Sequence, residues 1–579
     1  MKTQNNINKS KFDRTLLLRG GLFLAGAILL VQLFIVQIVH HDYYSAAALA
    51  EHVKKFEVSA ERGKIYMNDG YATVPVVLNE KKYLVYADPK YIQSSDQTAN
   101  QLQQLIGGDL KQLEELLKKD TRYVVLAKKV DRSVADRIKE QKIKGVGLKE
   151  ISVRTYPQGK MASQVLGFVN DDGQGQYGFE EYYNQQLSGK NGLQQKITDI
   201  NGVPLAINNN QEQQDPIAGN DVTLSLDLRM QKIVEERLQE NVTRTSSKSG
   251  SAVLIDANTG KITAMANVPT YDPSQYATQQ DISIFLNTAT NGAWEPGSVM
   301  KPLMMSAAFN EQKLNPSSTY FDKGSVQIAD RTIKNSMEWG ARTMSMNDII
   351  TKSLNTGAVY MMQSLGGGQI DEQARTIWYQ YLTERYGFGK STNIELAGEQ
   401  GGSVIGPKDP DGVAVRYANM SFGQGLTVTP LQLAAAYSAL INGGTYYQPS
   451  ILSSVKTANG EQAVPPKVVT SNVVSPQVSQ DIRAVLQLGA SQNNKPALRD
   501  GYAIGAKSGT AEFVGDDGVY KTDAYNGAYI GFIAGKDKAY VLIVRLDEPK
   551  TSGFASAQAA IAWAAISNEV LNIVPIAPM

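Results

Sequence analysis

At 579 residues the chain is too long for one compact core, so several domains are expected. Lysine plus arginine (57) balances aspartate plus glutamate (56), which leaves no basic excess to mark a nucleic-acid binder. Cysteine is absent and the three histidines, His40, His41 and His52, lie near the N-terminus, so beyond residue 52 thiol catalysis, a Ser-His-Asp triad and a histidine-bound zinc are all excluded.

The first predicted element is GGLFLAGAILLVQLFIVQIV, residues 20–39, an uncharged run whose helical length matches a bilayer core of roughly 30 Å. Lys2, Lys9, Lys11, Arg14 and Arg19 precede it against one acid, Asp13, which predicts a cytoplasmic tail at 1–19 and the rest of the chain outside. A cleaved signal peptide is the competing reading, because SAAALA at 45–50 is rich in small residues, but the apolar run is longer than a signal core.

Residues 40–219 are expected to form an extended, β-rich module with a modest core. Short runs such as KYLVYA (82–87) and RYVVLA (122–127) read as strands, separated by charged and Gln/Gly-rich stretches with no long apolar helix. The polar stretch NNNQEQQDPIAGND (208–221) marks a boundary, and a second domain is expected over 220–579. DVTLSLD alternates as a strand, and Met230, Ile233, Val234 and Leu238 follow at helical spacing. SAVLIDANTGKITAMANV (251–268) and NGAYIGFIAGKDKAYVLIVRL (526–546) each read as a hairpin, and SAQAAIAWAAISNEVLNIV as a C-terminal helix. Strands at both ends with helices between predict an α+β domain, an antiparallel sheet packed on a helical cluster.

Within that domain WEPGSVMKP (294–302) places Ser298 three residues before Lys301 at an irregular helix start. On a helix this spacing puts the amine within reach of the hydroxyl, and the helix N-terminus favours a developing negative charge. An amine becomes a general base when burial or a neighbouring cation lowers its pKa, and Lys507 is a candidate for that cation. Each signal has decoys. SSVK (453–456) has the same spacing in a predicted strand, Ser353-Leu354-Asn355 competes with Ser391-Thr392-Asn393 and Ser491-Gln492-Asn493, and KSGT (507–510) has a twin in KSGS (248–251).

Taken in order, Ser298/Lys301, Ser353/Asn355 and Lys507-Ser508-Gly509-Thr510 resemble the three active-site motifs of penicillin-binding proteins and serine β-lactamases. ERGKIYMNDG (61–70), RTYPQGKMASQVLGFV (154–169) and GQYGFEEYYNQQLSGKNG (175–192) resemble the pedestal of class B penicillin-binding proteins, and SFGQGLTVTPLQLAAAYSALINGG (421–444) resembles a signature of their transpeptidase domain. The resemblance implies a membrane-anchored D,D-transpeptidase. Ser298 would attack the D-alanyl-D-alanine carbonyl of a peptidoglycan stem peptide, with Lys301 taking its proton. Ser353 would relay a proton to the leaving amine, and Asn355 would orient Lys301. Lys507, Ser508 and Thr510 would hold the donor carboxylate, Gly509 would clear the strand edge for the peptide, and the amides of Ser298 and Thr510 would form the oxyanion hole. Many members carry Thr where this chain has Ser508.

β-Lactam antibiotics would be the inhibitors, and neither cofactor nor metal is expected. Asn355 and the absence of an appended repeat module favour the division (septal) type over the elongation type. That assignment implies division-complex partners and a polytopic glycosyltransferase of the shape-elongation-division-sporulation (SEDS) family, met through residues 20–39 and the pedestal. A D,D-carboxypeptidase or β-lactamase-like hydrolase and a non-catalytic β-lactam sensor or scaffold are the alternatives.

Overall fold

A computed structural model describes residues 14–44, 53–197, 213–514, 520–551, 554–574 and 576–579. Lys2, Lys9, Lys11, Asp13, His52, the run at 45–50 and the first part of the 208–221 stretch lie outside the described residues. The chain divides into two compact units, Met1–Ala60 with Lys190–Ile217, and Glu61–Gly189 with Ala218–Met579.

In the first unit the helix Arg14–Phe34 continues as a π-helical segment, Ile35–Val39. Its apolar part, Leu17–Val39, is long enough to cross a membrane and has none of its residues buried in protein. It begins at Leu17, earlier than the expected Gly20, because Leu17 and Leu18 extend the apolar run across Arg19. The strand Val53–Val58 pairs antiparallel with Gly192–Ile197.

The second unit opens with β1 (Ile65–Asn68) and the long β2 (Thr73–Ala87). Three helices that the sequence reading missed follow: α1 (Ser95–Ile106), α2 (Leu110–Leu117) and, after β3 (Val124–Val130), α3 (Arg132–Gln141). Their apolar stripes are narrow. Ala99, Leu102, Leu113, Leu117 and Ile138 are nonetheless buried against Val85, Ala87 and Val124 of the sheet. Ser94 and Asp109 cap the first two of these helices, each accepting a backbone N–H of the first turn. β4 (Val146–Thr155) returns along β2 through ten paired residues.

Three expected pedestal motifs meet in one buried ion cluster. Glu180, fully buried, takes Arg62 on one carboxylate oxygen and the Nε of Arg154 at 2.7 Å on the other. Arg154 also donates to Asn79 at 2.8 Å, and Arg62 to Asn184 and Ser188 at 2.9 Å each.

β5 (Asp221–Asp227) joins this region to the rest, Val222 pairing parallel with Ile65 of β1 and antiparallel with Val455 of β8 (Leu452–Thr457). After α4 (Leu228–Thr245) come β6 (Ser249–Asp256) and β7 (Ile262–Val268), the first expected hairpin. The strands β9 (Ala503–Val514), β10 (Tyr520–Ala534) and β11 (Ala539–Asp547) complete a five-stranded antiparallel sheet in the order β7-β6-β11-β10-β9. Strands from both ends of the domain therefore meet at its centre, where β6 pairs with β11. Alternation sends Val253, Ile255, Val541 and Ile543 to the helical cluster, and Leu254, Leu542 and Val544 to α4 and the C-terminal helix Ala555–Ile573. β9 is left at the sheet edge, with the helix Pro476–Asn493 and the turn Gly297–Met300 packed against it.

Candidate active site

Ser298 does not open an α-helix directly. Gly297–Met300 form a 3-10 turn, and the α-helix α5 runs Lys301–Asn310. Pro302 has no N–H to give the Ser298 carbonyl, which accepts instead from the Lys301 N–H three residues on, and the tighter turn follows. Tyr437 holds the next carbonyl, its hydroxyl donating to Val299 O at 2.6 Å. The loop Ser421–Gly425 braces the other side, with Gly297 N–H donating to Gly423 O at 3.0 Å and Gly425 N–H to Glu295 Oε1 at 2.8 Å. Gly423, at φ 90°, could not carry a side chain here, since a Cβ would lie 2.0 Å from Gly297 O.

Lys301 is fully buried, and its Nζ lies 2.9 Å from Ser298 Oγ. The same Nζ is 2.6 Å from Ser353 O, 2.9 Å from Asn355 Oδ1 and 3.3 Å from Ser353 Oγ. A neutral amine has two protons and one lone pair. The two carbonyl oxygens can only accept, so they take the protons, and the lone pair is left for the Ser298 hydroxyl. Burial, with the charge of Lys507 second, holds the Lys301 pKa well below the usual lysine value, which favours that neutral form.

Ser353 lies between the helices α6 (Met346–Thr351) and α7 (Asn355–Ser364), at a left-handed φ of 56°, and is not the ordinary helix residue that polar sequence alone would suggest. That conformation turns both its carbonyl and its hydroxyl toward the lysines. Lys507 Nζ reaches Ser353 Oγ at 3.0 Å and Ser508 O at 2.8 Å, and burial lowers its pKa to about 7. One hydroxyl therefore sits between the two amines.

Along β9, Lys507 and Gly509 are buried, while Ser508 and Thr510 are half-exposed and line an open cleft of about 880 Å³ with Ser298, Ser353 and Asn355. Gly509 also has a packing reason, beside the clearance for the peptide that the resemblance implies. A Cβ there would meet Pro296 O at 2.8 Å and Val299 Cγ1 at 2.9 Å, so the missing side chain admits the nucleophile's turn against the strand. Thr510 Oγ1 contacts Ser556 Oγ at 2.9 Å, a cleft residue that sequence reading missed, as it missed Trp339, Phe422 and the bracing Tyr437. Only the 421–444 signature pointed toward Phe422 and Tyr437, and it named no role for them.

The decoys separate by geometry. Ser453 and Lys456 lie on strand β8, where residues three apart face opposite sides, and neither Ser391, Ser491 nor Lys248 lines the cleft. Among the described residues no group of three or more His, Cys, Asp or Glu could hold a metal ion.

A hydroxyl 2.9 Å from a buried amine, with a second amine one hydroxyl away, is the arrangement that a serine acyltransferase with a lysine base requires. Comparison with known families matches residues 250–568 to the penicillin binding protein transpeptidase domain and residues 57–224 to the penicillin-binding protein dimerisation domain. Stage V sporulation protein D of Bacillus subtilis is 30% identical over 525 residues, covering 89% of this chain and 78% of that protein. Peptidoglycan D,D-transpeptidase FtsI of Escherichia coli is 29% identical over 577 residues, 98% of this chain and 92% of its own length. Penicillin Binding Protein 2X from Streptococcus thermophilus superposes with a TM-score of 0.73 at 25% identity, covering 90% of this chain and 80% of the other. The chain belongs to the penicillin-binding protein transpeptidase family, in the class B form that couples a dimerisation-type pedestal to a serine transpeptidase domain.

Proposed function

We propose that the protein is a peptidoglycan D,D-transpeptidase that cross-links stem peptides through a Ser298 acyl-enzyme and is acylated there by β-lactams. The observation that carries this reading is the Lys301 amine, whose two acceptor partners leave its lone pair to Ser298. Ser298 Oγ attacks the carbonyl between the two D-alanines as its proton passes to Lys301. The amides of Ser298 and Thr510 stabilise the oxyanion, where one donor is worth about 3 kcal/mol. Ser353, in contact with both amines, returns the proton to the departing D-alanine. Asn355 fixes Lys301, and Lys507 with Ser508 and Thr510 binds the donor carboxylate. The amine of a second stem peptide then takes the acyl group. Gly509 clears the strand edge for the donor peptide and lets the strand approach the serine.

Incubation with synthetic stem peptides and mass analysis of the products tests the reaction. Cross-linked dimers are expected, and trimmed monomers alone would make the enzyme a hydrolase.

The division role, suggested by Asn355 in the second motif, is part of the same proposal, as are the division into 40–219 and 220–579 and an orientation with residues 1–19 in the cytoplasm. A SEDS-type glycosyltransferase would meet the membrane helix. Gln37 lies in its π-helical segment and Gln32 one turn before, both polar in an apolar run. Gln32→Leu with Gln37→Leu should reduce partner co-purification, and full recovery would count against that contact.

A further inference from the structure

A second cavity, of about 590 Å³, opens away from the catalytic cleft. Its walls are the end of the helix α8 (Pro430–Ile441), the first turns of α9 (Pro476–Asn493), the start of β9 and the β10–β11 turn. Nothing in the catalytic reading uses it. Three cationic side chains line it, Arg483 from α9 and Lys536 and Lys538 from the turn, against one acidic side chain, Asp537, whose Oδ1 already accepts the Ala577 N–H at 3.0 Å, and the last residue, Met579, lines it as well.

Arg483 is half-buried. It donates one Nη1 bond to Ile441 O at 3.1 Å and lies over the Phe532 ring, its guanidinium carbon 5.2 Å from the centroid. Among the described residues no carboxylate forms an ion pair with Arg483, Lys536 or Lys538, and burial alone pushes the guanidinium below its ordinary pKa. A guanidinium stays charged under those conditions, so the pocket holds a partly desolvated cation whose remaining N–H groups suit a planar, bidentate acceptor. The α9 N-terminus adds the positive end of an eighteen-residue helix. Gln480 and Gln487 supply amides that donate and accept, as a peptide backbone requires.

We infer that this cavity is a docking site for the carboxylate end of a peptide, held by the Arg483 guanidinium and the Lys536/Lys538 turn. Its position connects it to the catalytic elements. α9 ends at Asn493, which lines the catalytic cleft and donates to Thr351 O at 3.0 Å. β9 runs from Ala503 at the cavity to Lys507, a span of about 13 Å. A bound peptide would hold the outer ends of the two elements that frame Lys507.

The test uses full-length protein whose catalytic cleft has been filled by penicillin, with the adduct mass confirmed first. A missing adduct at that step would fault the catalytic proposal and not this one. N-acetyl-D-alanyl-D-alanine is then titrated calorimetrically beside its C-terminal amide. Saturable binding of the free acid is expected, with the amide about tenfold weaker. Lys536→Gln with Lys538→Gln, on an exposed turn and so safe for folding, should weaken the acid several-fold, and Arg483→Gln about tenfold. No binding, equal binding of acid and amide, or indifference to the lysine substitutions would overturn the inference. So would inorganic phosphate binding more tightly than the peptide, which would make the cavity a phosphate site.

Discussion

In the proposed mechanism Lys301 has to be neutral to take the Ser298 proton, and burial together with the Lys507 charge keeps its pKa well below the usual lysine value. Lys507 has to be charged to bind a carboxylate, and burial brings it to about 7. The acylation rate constant should therefore be bell-shaped in pH, rising as Lys301 loses its proton and falling as Lys507 does, with both limbs belonging to the coupled pair. Lys507→Ala admits water and removes the cation, and both changes favour protonated Lys301. The acid limb should move up by about one pH unit in stopped-flow penicillin acylation. An unmoved limb would show that Lys507 does not act on the base. The same burial has a cost in stability. A lysine whose folded pKa is depressed binds fewer protons folded than unfolded, so its penalty is full below about pH 7 and fades toward about pH 10.4. Lys507→Met should therefore stabilise the protein by about 1–3 kcal/mol at pH 6, and by less at pH 9, in denaturant melts. The Ser298–Lys301 spacing was visible in sequence because the i, i+3 relation survives in a 3-10 turn. The left-handed φ of Ser353 was not, since nothing in Ser-Leu-Asn distinguishes it from three other Ser-x-Asn triplets.

At the scale of elements, the nucleophile is held by contacts from far along the chain. The Gly423 carbonyl accepts the Gly297 N–H and the Tyr437 hydroxyl donates to the Val299 carbonyl, and these bonds fix a four-residue turn that has little internal hydrogen bonding of its own. Gly423→Ala should slow acylation about a hundredfold while the protein remains folded, because a Cβ 2.0 Å from Gly297 O displaces the serine. Acylation kinetics and circular dichroism on one preparation would check both halves. The hairpins and the C-terminal helix were legible because their apolar periods are clean, and strands at both ends of the domain pointed to one antiparallel sheet, whose order only the structure gives. The pedestal helices were not legible. In QTANQLQQLIGGDLKQLEELL the stripe is a few leucines among glutamines and charges, and only packing on β2 and β3 shows which residues it buries. Gly509 could be recognised as necessary from its motif, but the strand-to-turn approach that makes it so depends on tertiary structure.

Across the whole molecule, the buried Arg62–Glu180–Arg154 cluster ties three pedestal segments together, and β5 pairs with the pedestal strand β1 on one side and with β8 on the other, within one compact unit. Glu180→Ala leaves two buried guanidinium groups without their carboxylate, which costs about 3–5 kcal/mol. Since β5 pairs with strands on both sides, that loss should lower one main calorimetric transition. A separate early transition with the catalytic domain unmoved would show the two regions to be uncoupled. The membrane segment, the pedestal and the acylating domain then serve one reaction, and that reaction begins at a single oxygen. The most direct measurement is mass spectrometry of the full-length protein after brief exposure to penicillin, beside Ser298→Ala. One covalent adduct on the peptide containing Ser298, lost in the variant, is the predicted result. An adduct on another residue, or one that persists in Ser298→Ala, would contradict the account.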